Sequence, residues 1–208
     1  MKRKPVNRVP LFDFPFQRPL FTEIIGRTPD AYNARDAMDL TVAMGLDGVW
    51  IPFGCFSGWS PEKISESVYK DEWGTTFEKN DAAWPINAPI GFPLKSRDDF
   101  RAYTPPDPMA EGRLVEVDTA VGINQQLGDK AVAVMGGVNG PFTISWLLIG
   151  YENICLSLYD DPGFLEEVAE MAVDFNLKAI HRMAEAGVDA MIMGDDYRSS
   201  AQGLLKLS

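Results

Sequence analysis

Ala184-Glu185-Ala186-Gly187-Val188-Asp189-Ala190-Met191-Ile192-Met193-Gly194-Asp195-Asp196 reads as the end of a helix, a glycine stop, a short buried strand and two carboxylates where the strand runs out. Glycine takes the left-handed position that closes a helix. The apolar run behind it suits a strand covered on both faces. In α/β proteins the carboxyl ends of strands are where chemistry is placed. The stretch therefore predicts an α/β fold and nominates Asp195 and Asp196. Its pattern occurs once before: Met44-Gly45-Leu46-Asp47-Gly48-Val49-Trp50-Ile51 matches Ala186 to Met193 position by position. Each copy is a helix end, Gly, an apolar residue, Asp, a small residue, then three apolar positions. A repeated helix-then-strand unit supports parallel strands joined by right-handed crossovers.

Working outward, the pattern predicts main strands at 9–14, 48–52, 131–135 and 190–193. Thr28-Pro29-Asp30 opens a helix that Gly45 stops, Ser96 caps a short helix over 96–103, and 114–127 is helical up to Gly128. A further helix starts near Pro141, and Asp161-Pro162 starts the longest one, which ends at Gly187. Between 56 and 108 the alternation lapses. Val68 to Phe77 spells two short strands about a Trp-Gly turn, a β-hairpin signal. This excursion either covers a site or decorates the surface. Four main strands are half of what a closed (β/α)8 barrel needs. No glycine-rich phosphate turn follows any of them. On pattern alone, a partial barrel and a small open sheet both remain.

Composition narrows the function classes. The 208 residues are 46% hydrophobic and 24% charged, an ordinary globular balance for one domain over 1–208. A net charge of −11 with no basic cluster argues against nucleic acid and anionic membrane as partners. No apolar run is long enough for a membrane span, and the basic start Met1-Lys2-Arg3-Lys4 reads as a frayed terminus rather than a targeting signal. Cys55 and Cys155 lie far apart, which suits a reducing cytoplasm better than a disulfide framework or a zinc knuckle.

Strand ends carry the candidate chemistry. The Asp195-Asp196 pair is the first: carboxylates there can serve as acid or base, or hold a cation or an N–H group, while the plainer role is for Asp196 to cap the next helix. Gly136-Gly137 lets a ligand approach the backbone, and Asn139 both donates and accepts hydrogen bonds, though ordinary packing also asks for small residues in such a turn. Phe14 and Phe16, with Phe12, Trp50, Phe53 and Phe56, either line a pocket for a flat ligand or fill the core. Cys55 at a strand end reads as a small buried hydrophobe ahead of a nucleophile. His181 is the one histidine in the sequence and falls on the long helix, away from these ends, so no Ser-His-Asp set and no clustered metal ligands can be built.

Gly140-Pro141-Phe142-Thr143-Ile144, Leu158-Tyr159-Asp160-Asp161-Pro162 and Ala186 through Asp195-Asp196-Tyr197 resemble the uroporphyrinogen decarboxylase superfamily; Asn7-Arg8-Val9-Pro10 and Asp71-Glu72-Trp73-Gly74 also suit it. The resemblance implies a (β/α)8 TIM-type barrel with its cleft at the carboxyl ends of the strands. It also implies either tetrapyrrole-pathway decarboxylation or methyl transfer with corrinoid proteins or thiol acceptors. The decarboxylases carry an Arg-Gln-Ala-Gly-Arg motif that holds substrate carboxylates; this chain has Phe14-Pro15-Phe16-Gln17-Arg18-Pro19 there. Their Phe-Ser-Asp turn is Pro52-Phe53-Gly54 here, and their substrate-facing Tyr falls at about Leu147. The methyltransferase branch fits better, and its zinc-bound thiolate would draw on His and Cys ligands from later sequence. The expectation is therefore the N-terminal half to two-thirds of a barrel with a hairpin-containing insertion after the second strand. Asp195 or Asp196 would act on a small-molecule substrate or a corrinoid protein, with Phe14, Phe16, Asn139 and Tyr197 lining the pocket. No metal ligand is assigned to this segment, and zinc and a corrinoid partner belong to the complete protein. The alternatives are uroporphyrinogen decarboxylation and an inactive binding or assembly module, and an open half barrel would be expected to pair with another copy.

Overall fold

The two helix-then-strand units show how the repeated pattern folds. The structure is a computed structural model that describes residues 8–54 and 61–195. Helix α1 (Arg18–Ile25) is followed by α2 (Ala34–Met44) and strand β1 (Gly48–Pro52); the last helix, α7 (Pro162–Ala186), is followed by β7 (Ala190–Gly194). Gly45 and Gly187 close the two helices with φ of 68° and 96°, values an L side chain resists. The aspartate two residues later then does the same job twice. Asp189 donates its N–H to the Val134 carbonyl and accepts the Val134 N–H on its carboxylate, both at 2.8 Å. Asp47 exchanges the same pair of bonds with Leu11, at 2.8 and 2.7 Å.

That equivalence explains why 9–14 is not a strand. The expected first strand is extended chain lying along β1, and its pairing to that edge is the exchange at Leu11, backed by a bidentate Arg8–Asp47 ion pair. Pro10 and Pro15 remove two of the N–H groups that a ladder would need. Val9 and Leu11 stay 79% and 56% exposed. Among the described residues the parallel sheet therefore has three strands, β6 (Ala133–Asn139) lying in the centre between β1 and β7. Strand β6 starts two residues later than the expected 131–135 and runs on through the Gly136-Gly137 pair. The helix expected from Thr28 begins instead after Asn33, whose side chain accepts the Asp36 N–H. Helix α1 was not anticipated.

Register divides the sheet into two faces. Val49, Ile51, Val134 and Val138 point toward the helices and are buried beneath α2, α4 (Val115–Gln126) and α7. Their cover includes Met38, Leu40, Val117, Ala172 and Met183, all at or below 1% exposure. Burying each such side chain contributes about 1.5–3 kcal/mol. The other face carries Gly48, Trp50, Met135, Gly137, Asn139 and Ile192.

The excursion is a second sheet, antiparallel, of β2 (Glu62–Lys63), β3 (Val68–Lys70), β4 (Thr76–Glu78) and β5 (Pro89–Gly91). The predicted hairpin is its β3–β4 pair. Helix α3 (Arg97–Ala102) follows, capped by Ser96 as its sequence predicts. Helix α5 (Pro141–Ile149) and α6 (Tyr151–Asp160) complete the described chain. Among the described residues no helix is long and apolar enough to cross a membrane.

Candidate functional site

The carboxyl ends of the three parallel strands lie side by side: Phe53-Gly54, Asn139-Gly140 and Gly194-Asp195. Two backbone bonds continue the ladder past its last pairs, from Phe53 N–H to the Gly137 carbonyl at 2.8 Å and from Gly140 N–H to the Gly194 carbonyl at 2.6 Å.

Asp195 follows Gly194 and turns to the helix side. Its Oδ1 accepts the Thr143 N–H at 2.8 Å and the Thr143 hydroxyl at 3.0 Å, and its Oδ2 accepts the Phe142 N–H at 3.4 Å. The carboxylate thus covers the first turn of α5, where unpaired N–H groups and the helix dipole favour a negative charge. Asp195 thus caps a helix that lies earlier in the chain; the plainer reading of Asp196, as the cap of a helix that follows, falls outside the described residues. Gly140 makes it feasible, since a Cβ there would fall inside the Asp195 carboxyl group. Two oxygens offer about four acceptor positions, so Oδ2 keeps capacity for a further donor.

Asn139 pairs in register with Gly194, and alternation puts its side chain on the face opposite the helices. Its carbonyl accepts the Nδ2–H of Asn176 on α7, at 2.8 Å. Asn176 is 4% exposed, and its Oδ1 has no hydrogen-bond partner among the described residues. Trp50 lies across Gly137, whose missing side chain makes room for the indole. Phe14 and Phe16 both pack on Trp50 with ring centroids 5.6 Å away, and Tyr32 joins them by donating its hydroxyl to the Trp50 carbonyl at 2.7 Å. The space left inside this cluster is about 10 Å³, at most room for one water, so its interior is core rather than a ligand pocket. Phe14 remains 40% exposed on its outer side. The structure therefore brings Asn139, Phe14 and Phe16 to one face around Trp50 and Gly137, with Asp195 at the rim. Asp196, Tyr197 and Cys55 lie outside the described residues.

Sequence reading missed the arrangement at the end of β1. Arg113 is ion-paired to Glu72 of the β3–β4 turn, with both side chains 1% exposed. The guanidinium also donates to the Asp107 carbonyl at 2.6 Å and lies 5.5 Å over the Phe53 and Phe175 rings. Gly54, at φ 73°, passes so close that a Cβ would meet both partners. The excursion is thus anchored against the strand end. The neighbouring Asp71 accepts N–H bonds from Trp73 and Thr75, yet burial, helped by the Glu72 charge, pushes its carboxyl up to about 6. Burial likewise raises Tyr103, whose hydroxyl donates to the Trp73 carbonyl. No local signal joins Glu72 to Arg113 across 41 positions. Asn176 did have one: it is a polar residue in the buried stripe Ala172, Phe175, Ala179, Met183.

His181 is exposed and meets Glu185 one turn on, at 3.2 Å. Among the described residues no three His, Cys, Asp or Glu side chains converge as a metal site would require. They do not supply the ligand set of a zinc-bound thiolate.

Comparison with known proteins places this geometry. A sequence profile described as "Uroporphyrinogen decarboxylase (URO-D)" matches residues 85–207. A uroporphyrinogen decarboxylase from Methylococcus capsulatus (strain ATCC 33009 / NCIMB 11132 / Bath) is 28% identical over 112 residues, which is 50% of this chain and 31% of that protein. A solved methyltransferase from Methanosarcina mazei superposes with a TM-score of 0.64 at 22% identity, over 92% of this chain and 55% of its own. The chain thus spans about a third of the first relative and just over half of the second.

Proposed function

The chain belongs to the uroporphyrinogen decarboxylase family, and from that premise we propose that it forms the N-terminal part of a (β/α)8 barrel enzyme of the methyltransferase-like kind, acting with a corrinoid or thiol methyl carrier. One observation carries the reading. Among the described residues, the charged groups set against the strand ends include a carboxylate fixed as an acceptor, Asp195, and an arginine drawn into a buried pair, Arg113–Glu72. A substrate bearing several carboxylates needs exposed cations to meet it; a neutral or cationic group does not. The excursion over 61–91 is an insertion after β1 on this reading, and its turn closes one side of the cleft.

In this role the chain's own residues bind and orient. Asp195 presents Oδ2 to a donor or a positive group of the substrate, Asn139 offers both hydrogen-bonding senses, and the outer side of Phe14 and Phe16 shields the reacting group from water. Asp196 and Tyr197 complete the pocket in this assignment. Zinc and the corrinoid would act through residues other than those described. Likeness to the Methanosarcina methyltransferase over 92% of the chain supports the reading.

The test is methyl transfer from methylcobalamin to a thiol by the full-length protein, with Asp195→Asn and Asp196→Asn variants. At least one should cut the rate about tenfold or more while leaving the protein folded, as read by a cooperative unfolding transition. Wild-type rates in both would remove the assignment. The match to a uroporphyrinogen decarboxylase favours a second reading, loss of carboxyl groups from a tetrapyrrole. Incubation with uroporphyrinogen separates the two: carboxyl loss in place of methyl transfer selects the decarboxylase.

A further inference from the structure

Two donors of one residue converge on one oxygen at the rim of the cleft. Thr143 gives both its N–H and its hydroxyl to Asp195 Oδ1, at 2.8 and 3.0 Å, and is itself 7% exposed. A helix cap needs the N–H bonds alone. The hydroxyl adds something different: with the Phe142 N–H on Oδ2 it sets the rotation of the carboxylate about its own axis. Among the described residues Oδ2 then carries one long bond, of 3.4 Å, and on the proposed reading it is the oxygen that meets a ligand. Gly140 supplies the space, because any side chain there would occupy the place of the carboxyl group.

We propose that Thr143 is a positioning residue of the cleft, acting through Asp195; the proposal rests on the reading that Asp195 orients substrate. Thr143→Val is the informative change. It keeps the shape and the backbone N–H, so the helix cap survives, but it removes the second donor. Thr143→Ser keeps the hydroxyl and loses a methyl group. A hydrogen bond to a charged group is strong enough that losing its orienting effect reads as a change of about tenfold.

In the methyl-transfer assay on the full-length protein, Thr143→Val should lower kcat/KM about tenfold, and Thr143→Ser should stay within about threefold of wild type. The double variant Asp195→Asn/Thr143→Val should be no slower than Asp195→Asn alone, because the two act as one unit. A wild-type rate for Thr143→Val beside a crippled Asp195→Asn overturns the positioning role and leaves the proposed function standing. Multiplying losses overturn it as well. A silent Asp195→Asn instead removes Asp195 from the reaction, and with it the role of Thr143. Should the wild type transfer no methyl group, the side-chain carboxyl ¹³C resonance of Asp195, assigned by its loss in Asp195→Asn, provides the readout. Displacement in Thr143→Val with return in Thr143→Ser supports the positioning role; an unmoved resonance in Thr143→Val overturns it.

Discussion

Asp71 carries its charge in a place that resists it, and the consequence is a testable pH dependence. Its carboxyl is raised to about 6 in the folded protein against 3.8 for the ordinary group. The folded state therefore takes up a proton, as pH falls from about 6 toward 4, that the unfolded chain does not. Stability contributed through Asp71 rises over that window and is complete below 3.8. Asp99 and Asp161 are lowered, the first by the Lys95 N–H and the Ser96 hydroxyl, the second by Arg97. Their stabilisation is present above the ordinary carboxylate range and is lost only below it, so they do not mask the window. Urea midpoints at pH 7, 6 and 5 should rise for the wild type relative to Asp71→Asn, which accepts the same two N–H bonds without a charge. Parallel curves for the two proteins would contradict this. Gly140 makes a second prediction. Gly140→Ala must displace the Asp195 carboxyl group and should destabilise by about 1–3 kcal/mol in urea unfolding. Gly122→Ala, in open space within α4, should be neutral or mildly stabilising.

The antiparallel sheet is held to the barrel-like part by few but costly contacts. Glu72 and Arg113 meet out of water, the Thr75 hydroxyl donates to the Leu147 carbonyl of α5 at 2.7 Å, and Trp73 packs edge-on to Phe175 at 4.7 Å. Removing one partner of a buried pair leaves a stranded charge. Arg113→Met should therefore cost about 3–5 kcal/mol, and Glu72→Met/Arg113→Met should recover most of it. Denaturant unfolding of the two single variants and the double decides this; a double variant as unstable as the sum of the singles would refute it. The hairpin over 68–77 and the Ser96 cap were legible because a turn or a cap is spelled by residues a few positions apart. The anchor was not, since Glu72 and Arg113 are neighbours only after folding. At 9–14 the short apolar run bounded by prolines predicts a strand, but the prolines lack N–H groups for a ladder and the segment stays an extended edge.

The mixed α/β arrangement leaves its two parallel-sheet edges unlike each other. One side of β1 is lined by 8–16, while among the described residues β7 pairs with β6 alone. Met193 on β7 is 56% exposed, and Leu177 on α7 is 63% exposed. On the proposed partial-barrel reading, further strands dock along this edge. Hydrogen exchange on the 208-residue chain should then show β6 amides protected well beyond those of β7. Equal protection would mean that the β7 edge is already covered in this chain.

Local spelling was enough for the fold class: Gly45 and Gly187 stop two helices, an aspartate two positions on opens each strand, and apolar runs demand burial. It was enough, too, to place Asn139 and Asp195 at strand ends as candidates, because strand ends can be located from the strands themselves. Which way each side chain faces was decided by the tertiary structure. Alternation sends Asn139 to the Trp50 face and Asp195 to the α5 helix, and that helix begins 54 residues before the carboxylate that caps it. Thr143, Asn176 and the Glu72–Arg113 pair acquire their roles only through such contacts. Their partners are distant in the chain, and a hydrogen bond or ion pair depends on separation in space.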